Sequence, residues 1–186
     1  MPILGIMASQ ISGHLFGPSG AYDSIATVTC SGGETTITFS SIPATYTHLQ
    51  IRGIANISTN DGLFPIRFNA DTGSNYVYHR LTGNGSVAGA ANGTSMTGGK
   101  ANVGIGFPNG ANIFGPFIMD ILDYANTSKY KTMRTLTGGD SNGSGGVEFD
   151  SGLWMSASAI STILLTAASG SFVQYSSFAL YGIKGA

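Results

Sequence analysis

Leu63-Phe64-Pro65-Ile66-Arg67-Phe68-Asn69 is the stretch that decides the fold. Phe64, Ile66 and Phe68 fall on one side of an extended chain, with Arg67 and Asn69 on the other. That period of two predicts a half-buried β-strand, because successive strand side chains point to opposite faces. Pro65 offers no N–H to a ladder, so it places the segment at a sheet edge or at a strand's beginning. The alternation recurs outward in both directions. Leu49, Ile51 and Gly53 alternate with Gln50, Arg52 and Ile54, and Tyr76 and Tyr78 with Val77, His79 and Leu81. Val103, Ile105 and Phe107 share a face, as do Ile113, Phe117, Met119 and Ile121. Residues 22–29, 35–40, 130–137, 147–156, 158–166 and 172–183 are further strand candidates.

Asn84-Gly85, Asn92-Gly93, Asn109-Gly110 and Asn142-Gly143 each offer the positive φ that tight turns demand. No stretch holds a capped i, i+3, i+4, i+7 apolar pattern, and the β-branched Ile160, Thr162, Ile163 and Thr166 argue for strand over helix. About ten such strands predict an all-β, two-sheet antiparallel β-sandwich of the jelly-roll kind. Two segments depart from the pattern. Residues 1–20 are apolar and Gly/Pro-rich, and are expected to form an extended N-terminal arm to a sandwich domain over 21–186; an ordinary edge strand is the alternative. Residues 83–101 are almost wholly small and are expected to form a long loop.

Only 9% of the 186 residues are charged, against roughly a quarter in an ordinary soluble domain. Disorder does not explain this, since the chain is 42% hydrophobic with a net charge of -1. Such a sparing use of charge fits a subunit whose surface is covered by partners. Eight scattered Lys and Arg provide no basic stripe for nucleic acid. No apolar run approaches the ~20 residues of a membrane helix, and the start lacks a signal peptide's basic region. The expectation is a protein made in a cytoplasm, with neither nucleic acid nor membrane as partner. Cys30 is the only cysteine and reads as a buried thiol.

Chemistry-bearing motifs are weak. Gly139-Asp140-Ser141-Asn142-Gly143 matches a nucleophile-elbow spacing, but a strand follows where a helix is needed, so it reads as a turn. Asp140, Asn142 and Glu148 suggest oxygen ligands for Ca2+, although Ser151 stands where a calcium loop carries its bidentate Glu. His14, His48 and His79 show no zinc spacing, and Asp120 and Asp123 point to opposite faces. Glu148 and Asp150 are the close same-face carboxylates that a glycoside hydrolase would require. Tyr76, Tyr78 and Trp154 are candidate ligand-facing rings for a sugar, with packing in a core or interface as the alternative. No catalytic constellation emerges, and the expectation is a protein that is not an enzyme and holds no cofactor.

Several strings resemble a known group. Pro2-Ile3-Leu4-Gly5-Ile6-Met7-Ala8-Ser9-Gln10-Ile11-Ser12-Gly13, Gly20-Ala21-Tyr22-Asp23-Ser24-Ile25-Ala26 and Ile42-Pro43-Ala44-Thr45-Tyr46-Thr47-His48-Leu49-Gln50-Ile51-Arg52 are similar to segments of small virion proteins of tailed bacteriophages, as in marine and cyanobacterial phages. Arg67-Phe68-Asn69-Ala70-Asp71-Thr72-Gly73-Ser74-Asn75-Tyr76, His79-Arg80-Leu81-Thr82-Gly83-Asn84-Gly85 and the closing Ser177-Phe178-Ala179-Leu180-Tyr181-Gly182-Ile183-Lys184-Gly185 extend the resemblance, with 83–115 matching least. It implies a β-sandwich on the exterior of a virion, as a capsid decoration (cement) protein or part of a tail fibre. In the decoration reading the chain forms a homo-oligomer, expected to be a trimer, and bridges major capsid proteins. Ile3, Leu4, Ile6, Met7, Ile11, Leu15 and Phe16 would then serve as the assembly arm. In the alternative, a tail component, the domain recognises a host surface glycan.

Overall fold

The computed structural model describes residues 20–59, 63–102, 112–141 and 143–185. Residues 1–19 of the expected arm, the strand expected at 103–107 and the Asn109-Gly110 turn lie outside these. The described residues form β1 (Tyr22–Thr29), β2 (Thr36–Phe39), β3 (His48–Ala55), β4 (Leu63–Phe68), β5 (Tyr76–Gly83) and β6 (Ala88–Met96). They continue with β7 (Gly99–Asn102), β8 (Gly115–Leu122), β9 (Lys131–Ser141), β10 (Ser144–Trp154), β11 (Ile163–Thr166) and β12 (Ser177–Ile183). One sheet runs β1-β12-β3-β8-β9-β10-β5-β6 and the other β2-β11-β4-β7. All the strand pairs are antiparallel.

The expected sandwich is what forms. Setting aside the β5–β6 and β9–β10 hairpins leaves β1-β12-β3-β8 facing β2-β11-β4-β7, with the chain switching sheets at every step except β4 to β7, which pair directly. That is the jelly-roll order. The two hairpins then extend one sheet well past the other.

The deciding stretch behaves as its alternation requires: Ile66 and Phe68 are fully buried. Pro65 pairs with Lys100 of β7 on one side, while β11 reaches only Ile66, Arg67 and Phe68 on the other. Its missing N–H therefore leaves no gap in the β11 ladder. Asn69 turns the chain at φ 52, and its side-chain oxygen accepts from the Ser161 N–H at 2.9 Å and the Thr162 N–H at 3.2 Å. Those bonds hold the approach to β11 as a loop, which shortens the strand expected at 158–166 to Ile163–Thr166.

The loop expected over 83–101 is mostly strand. Asn84-Gly85 makes the turn, with Gly85 at φ +85 and the Asn84 side-chain oxygen accepting from the Val87 N–H at 2.7 Å. Asn92-Gly93, expected as a turn, lies inside β6, opposite His79 and Tyr78. Small residues suit this strand because the Tyr78 ring lies against Gly93, where a Cβ would overlap it. Composition suggested a loop; packing against a neighbouring ring explains the glycine equally well.

Two aromatic groups fill the interlayer space. Phe68, Tyr76 and Trp154 pack together, with Tyr76 and Trp154 stacked at 6.3 Å and Phe68 edge-on to Trp154 at 5.5 Å. Phe117, Phe172 and Phe178 form the other, at 5.9 and 5.0 Å. Cys30 is buried, and burial followed by the nearby Glu34 charge pushes its thiol up to about 11.

After β1 the Glu34 carboxylate accepts from the Ser31 hydroxyl at 2.7 Å and from the N–H groups of Ser31 and Gly32 at 2.9 Å. These donors, the Ser31 hydroxyl foremost, lower its pKa from 4.5 to about 2. A depressed folded pKa contributes stability above the unfolded value, and loses it as pH falls towards the folded one. Thermal unfolding should therefore find Glu34→Gln less stable than the native chain at neutral pH, with the two converging as pH approaches about 2. A gap that stays constant down to that pH would show that the carboxylate's charge is not what these donors recognise.

Candidate interaction face

A sheet in a sandwich normally turns apolar side chains inward and polar ones to water. In the hairpin extension this order is reversed. On β10, Glu148 and Asp150 point inward and are 1% and 2% exposed, whereas Val147 and Phe149 point outward at 61% and 41%. On β5, Arg80 lies on the inner face and Leu81 on the outer, 62% exposed; on β9, buried Thr135 and Thr137 flank Leu136, 56% exposed. One arginine serves both inner carboxylates: Arg80 Nη2 meets Glu148 Oε1 at 2.8 Å, and Nε meets Asp150 Oδ1 at 3.0 Å. The Arg80 guanidinium also lies 5.5 Å from the Tyr78 ring centre.

Register converts the outward residues into rows across the sheet. Ile118 of β8 is the direct partner of Leu136, Leu136 of Phe149, Phe149 of Leu81, and Leu81 of Ala90 on β6. Arg52 of β3 precedes Ile118 in the same row. On the same face Ile54 pairs with Pro116, and Gly138, Val147, Gly83 and Ala88 pair in turn, with Pro116 and Gly138 lining one hollow between the two sets. These glycines leave hollows beside Val147, one of about 270 Å³ over Pro116, Ile118, Leu136 and Gly138.

On the other side of the apolar row lies a polar one: Tyr181, Gln50, Asp120, Arg134, Ser151 and His79. Gln50 links its neighbours, donating to Asp120 Oδ1 at 2.7 Å and accepting from Arg52 Nε at 2.6 Å. The Arg52 guanidinium lies 5.3 Å from the Tyr22 ring centre and 5.8 Å from that of Tyr181. Five strands thus present an apolar band to solvent, bordered by a polar row in which Asp120 and Arg134 stand side by side. Scattered exposed apolar residues are ordinary, whereas a contiguous band is the kind of surface at which proteins, membranes or ligands bind.

The ligand-facing set expected from sequence is not assembled here. Tyr76 is fully buried and Trp154 is 2% exposed, because both occupy the interlayer core; Tyr78 is half-buried under Arg80. Burial pushes the Tyr76 hydroxyl up to about 12, and its oxygen accepts from the Phe68 N–H at 2.9 Å. Trp154 Nε1–H donates to Asp71 Oδ2 at 2.7 Å. Ile3, Leu4, Ile6, Met7, Ile11, Leu15, Phe16 and His14 lie outside the described residues, as does Asn142.

Asp140 and Glu148 do not meet in a shared calcium geometry. Asp140 pairs with Gly145 and accepts from the Gly143 N–H at 3.1 Å, whereas Glu148 lies three residues further along β10, about 10 Å away, beside Arg80. Among the described residues no group of three or more His, Cys, Asp or Glu gathers. Ser141 pairs with Ser144 across the β9–β10 turn, so the nucleophile-elbow match sits in a hairpin. The Glu148 and Asp150 pair faces Arg80 instead of solvent. His48 accepts the Asp123 N–H at 3.0 Å through Nδ1, far along the chain from His79 on β5.

No protein family, curated protein or solved structure matches this chain. Sequence reasoning missed the outward apolar row because alternation identifies two faces without saying which is the core. One signal was present: Val147 and Phe149 alternate with Glu148 and Asp150. The missing information was that the carboxylate side has a buried arginine waiting for it.

Proposed function

We propose that this chain is a structural subunit of a tailed-bacteriophage virion, a non-enzymatic capsid decoration (cement) protein on the exterior of the shell. The outward row Ile118, Leu136, Phe149, Leu81 and Ala90 carries this reading, because charge is placed inside and apolar surface outside. An independently diffusing enzyme gains nothing from that inversion; a subunit buried among partners gains affinity from every apolar side chain it covers. The low charge of the chain and its resemblance to small phage virion proteins support the same conclusion. Oligomers of the sandwich bridge major capsid proteins through neutral surfaces and through the segment at 1–20. Several modest contacts per oligomer then act together through effective concentration, and the shell resists internal pressure.

A tail-fibre role with glycan recognition is the second reading. It is favoured by the Tyr22, Arg52 and Tyr181 cluster, where rings, a guanidinium and the Gln50–Asp120 pair stand together on one face. Gold-labelled antibody on intact particles separates the two. Label spread over the head is the expected result. Label confined to the tail makes the glycan reading the better one, and absence from both overturns the virion assignment.

A further inference from the structure

We propose that the outward face of the eight-stranded sheet binds a second copy of this chain, about a two-fold axis parallel to the strands between β8 and β9. The proposal deepens the reading of that face as buried in an assembly by naming its occupant. A two-fold contact requires one patch to be complementary to itself. An axis along the strands keeps every row on itself and exchanges strands about the sheet's centre. β8 and β9 are the fourth and fifth of the eight strands, so this axis lays each half of the sheet on the other half.

The chemistry matches at the positions nearest the axis. Asp120 on β8 comes to face Arg134 of the second copy, and Arg134 faces the second Asp120. Ile118 faces Leu136, and Ile54 faces Val147. Arg52 comes over the ring of Phe149, a favourable placement for a guanidinium on an aromatic face. Packed sheets cross at about 30°, so this register applies to the four central strands and relaxes outward. The rival two-fold, lying along the apolar row, also stacks apolar on apolar. It sets Arg52 against Arg52, however, and leaves Asp120 and Arg134 facing Pro116 and Gly138. Charge decides between the axes.

The central contact is compact. From β3 to β6 the band spans five strand spacings, about 24 Å, and its rows with the polar row cover about 14 Å along the strands. That footprint is about 340 Å² per copy, so the remaining strands of the sheet and the rim must supply the rest of the ~800 Å² per partner of a standard interface.

The test uses the full chain, whose monomer mass is 19.1 kDa. Sedimentation equilibrium should give a dimer, and Leu136→Glu should weaken association at least about 100-fold by placing unpaired charges in the contact. Leu136 is exposed, so circular dichroism should show this variant folded. A short bismaleimide then reads the axis, with buried Cys30 silent. Leu136→Cys lies about one strand spacing sideways from its own copy across a ~10 Å gap and should cross-link. Ala90→Cys lies about seven spacings, ~34 Å, from its own copy and should not. A native chain that stays monomeric, leaving this face to a different protein or to the chain's own 1–19 segment, overturns the proposal. So does a trimer, or any cross-linking through Ala90→Cys, which the rival axis along the apolar row would give together with Leu136→Cys. Particle labelling is a separate measurement, so loss of the pairing and loss of the virion assignment are told apart.

Discussion

Arg80→Met is expected to cost about 3–5 kcal/mol of folding stability, the penalty of removing one partner from a buried ionic group. Arg80 bonds Glu148 and Asp150 at once, and both carboxylates are almost fully buried. Methionine fills much of the same volume, so the loss arises from charge and not from a cavity. Adding Glu148→Gln and Asp150→Asn to Arg80→Met should therefore recover most of the deficit, since uncharged amides tolerate burial better than carboxylates do. Denaturant unfolding of the single and triple variants is the measurement. A single variant within 1 kcal/mol of the native chain would mean that water or another cation already neutralises the pair. The prediction also bears on function, because this cluster fixes which face of β5 and β10 points outward. A one-residue slip of either strand would put Leu81 or Phe149 inside and the charges in water.

Trp154→Ala should cost about as much, ~3–5 kcal/mol, by opening a cavity between the sheets. Trp154 touches Phe68 and Tyr76 and donates to Asp71, so truncation removes ring packing and a hydrogen bond together. Trp154→Phe keeps most of the packing and should cost roughly half as much or less. Because Trp154 is the only tryptophan, unfolding is best followed by circular dichroism across the series. A Trp154→Ala chain as stable as the native one, with weakened binding to a sugar, would return Trp154 to the ligand-facing role that its residue type suggested.

That role illustrates how far the sequence was legible. Tyr76, Tyr78 and Trp154 were recognisable as a group, but a ring in a strand looks the same whether it faces core or solvent. The alternations at 63–69, 49–54 and 117–121 were clear because their apolar sides are strong and their opposite sides weak. β6 was illegible for the opposite reason. Its alanines and glycines carry no period, and it is a strand only because β5 offers it a ladder and Tyr78 covers Gly93.

By itself, then, the sequence determined the class of fold and the approximate position of most strands. Alternation and turn chemistry are local, and they act through neighbours only two to four residues apart. It also determined the scarcity of charge that points to partners. The order of strands, the two hairpins that widen one sheet and the outward direction of Leu81, Leu136 and Phe149 were decided only by tertiary structure. These depend on which residues meet across the layers, and a period of two leaves inside and outside equivalent until Arg80 finds Glu148 and Asp150.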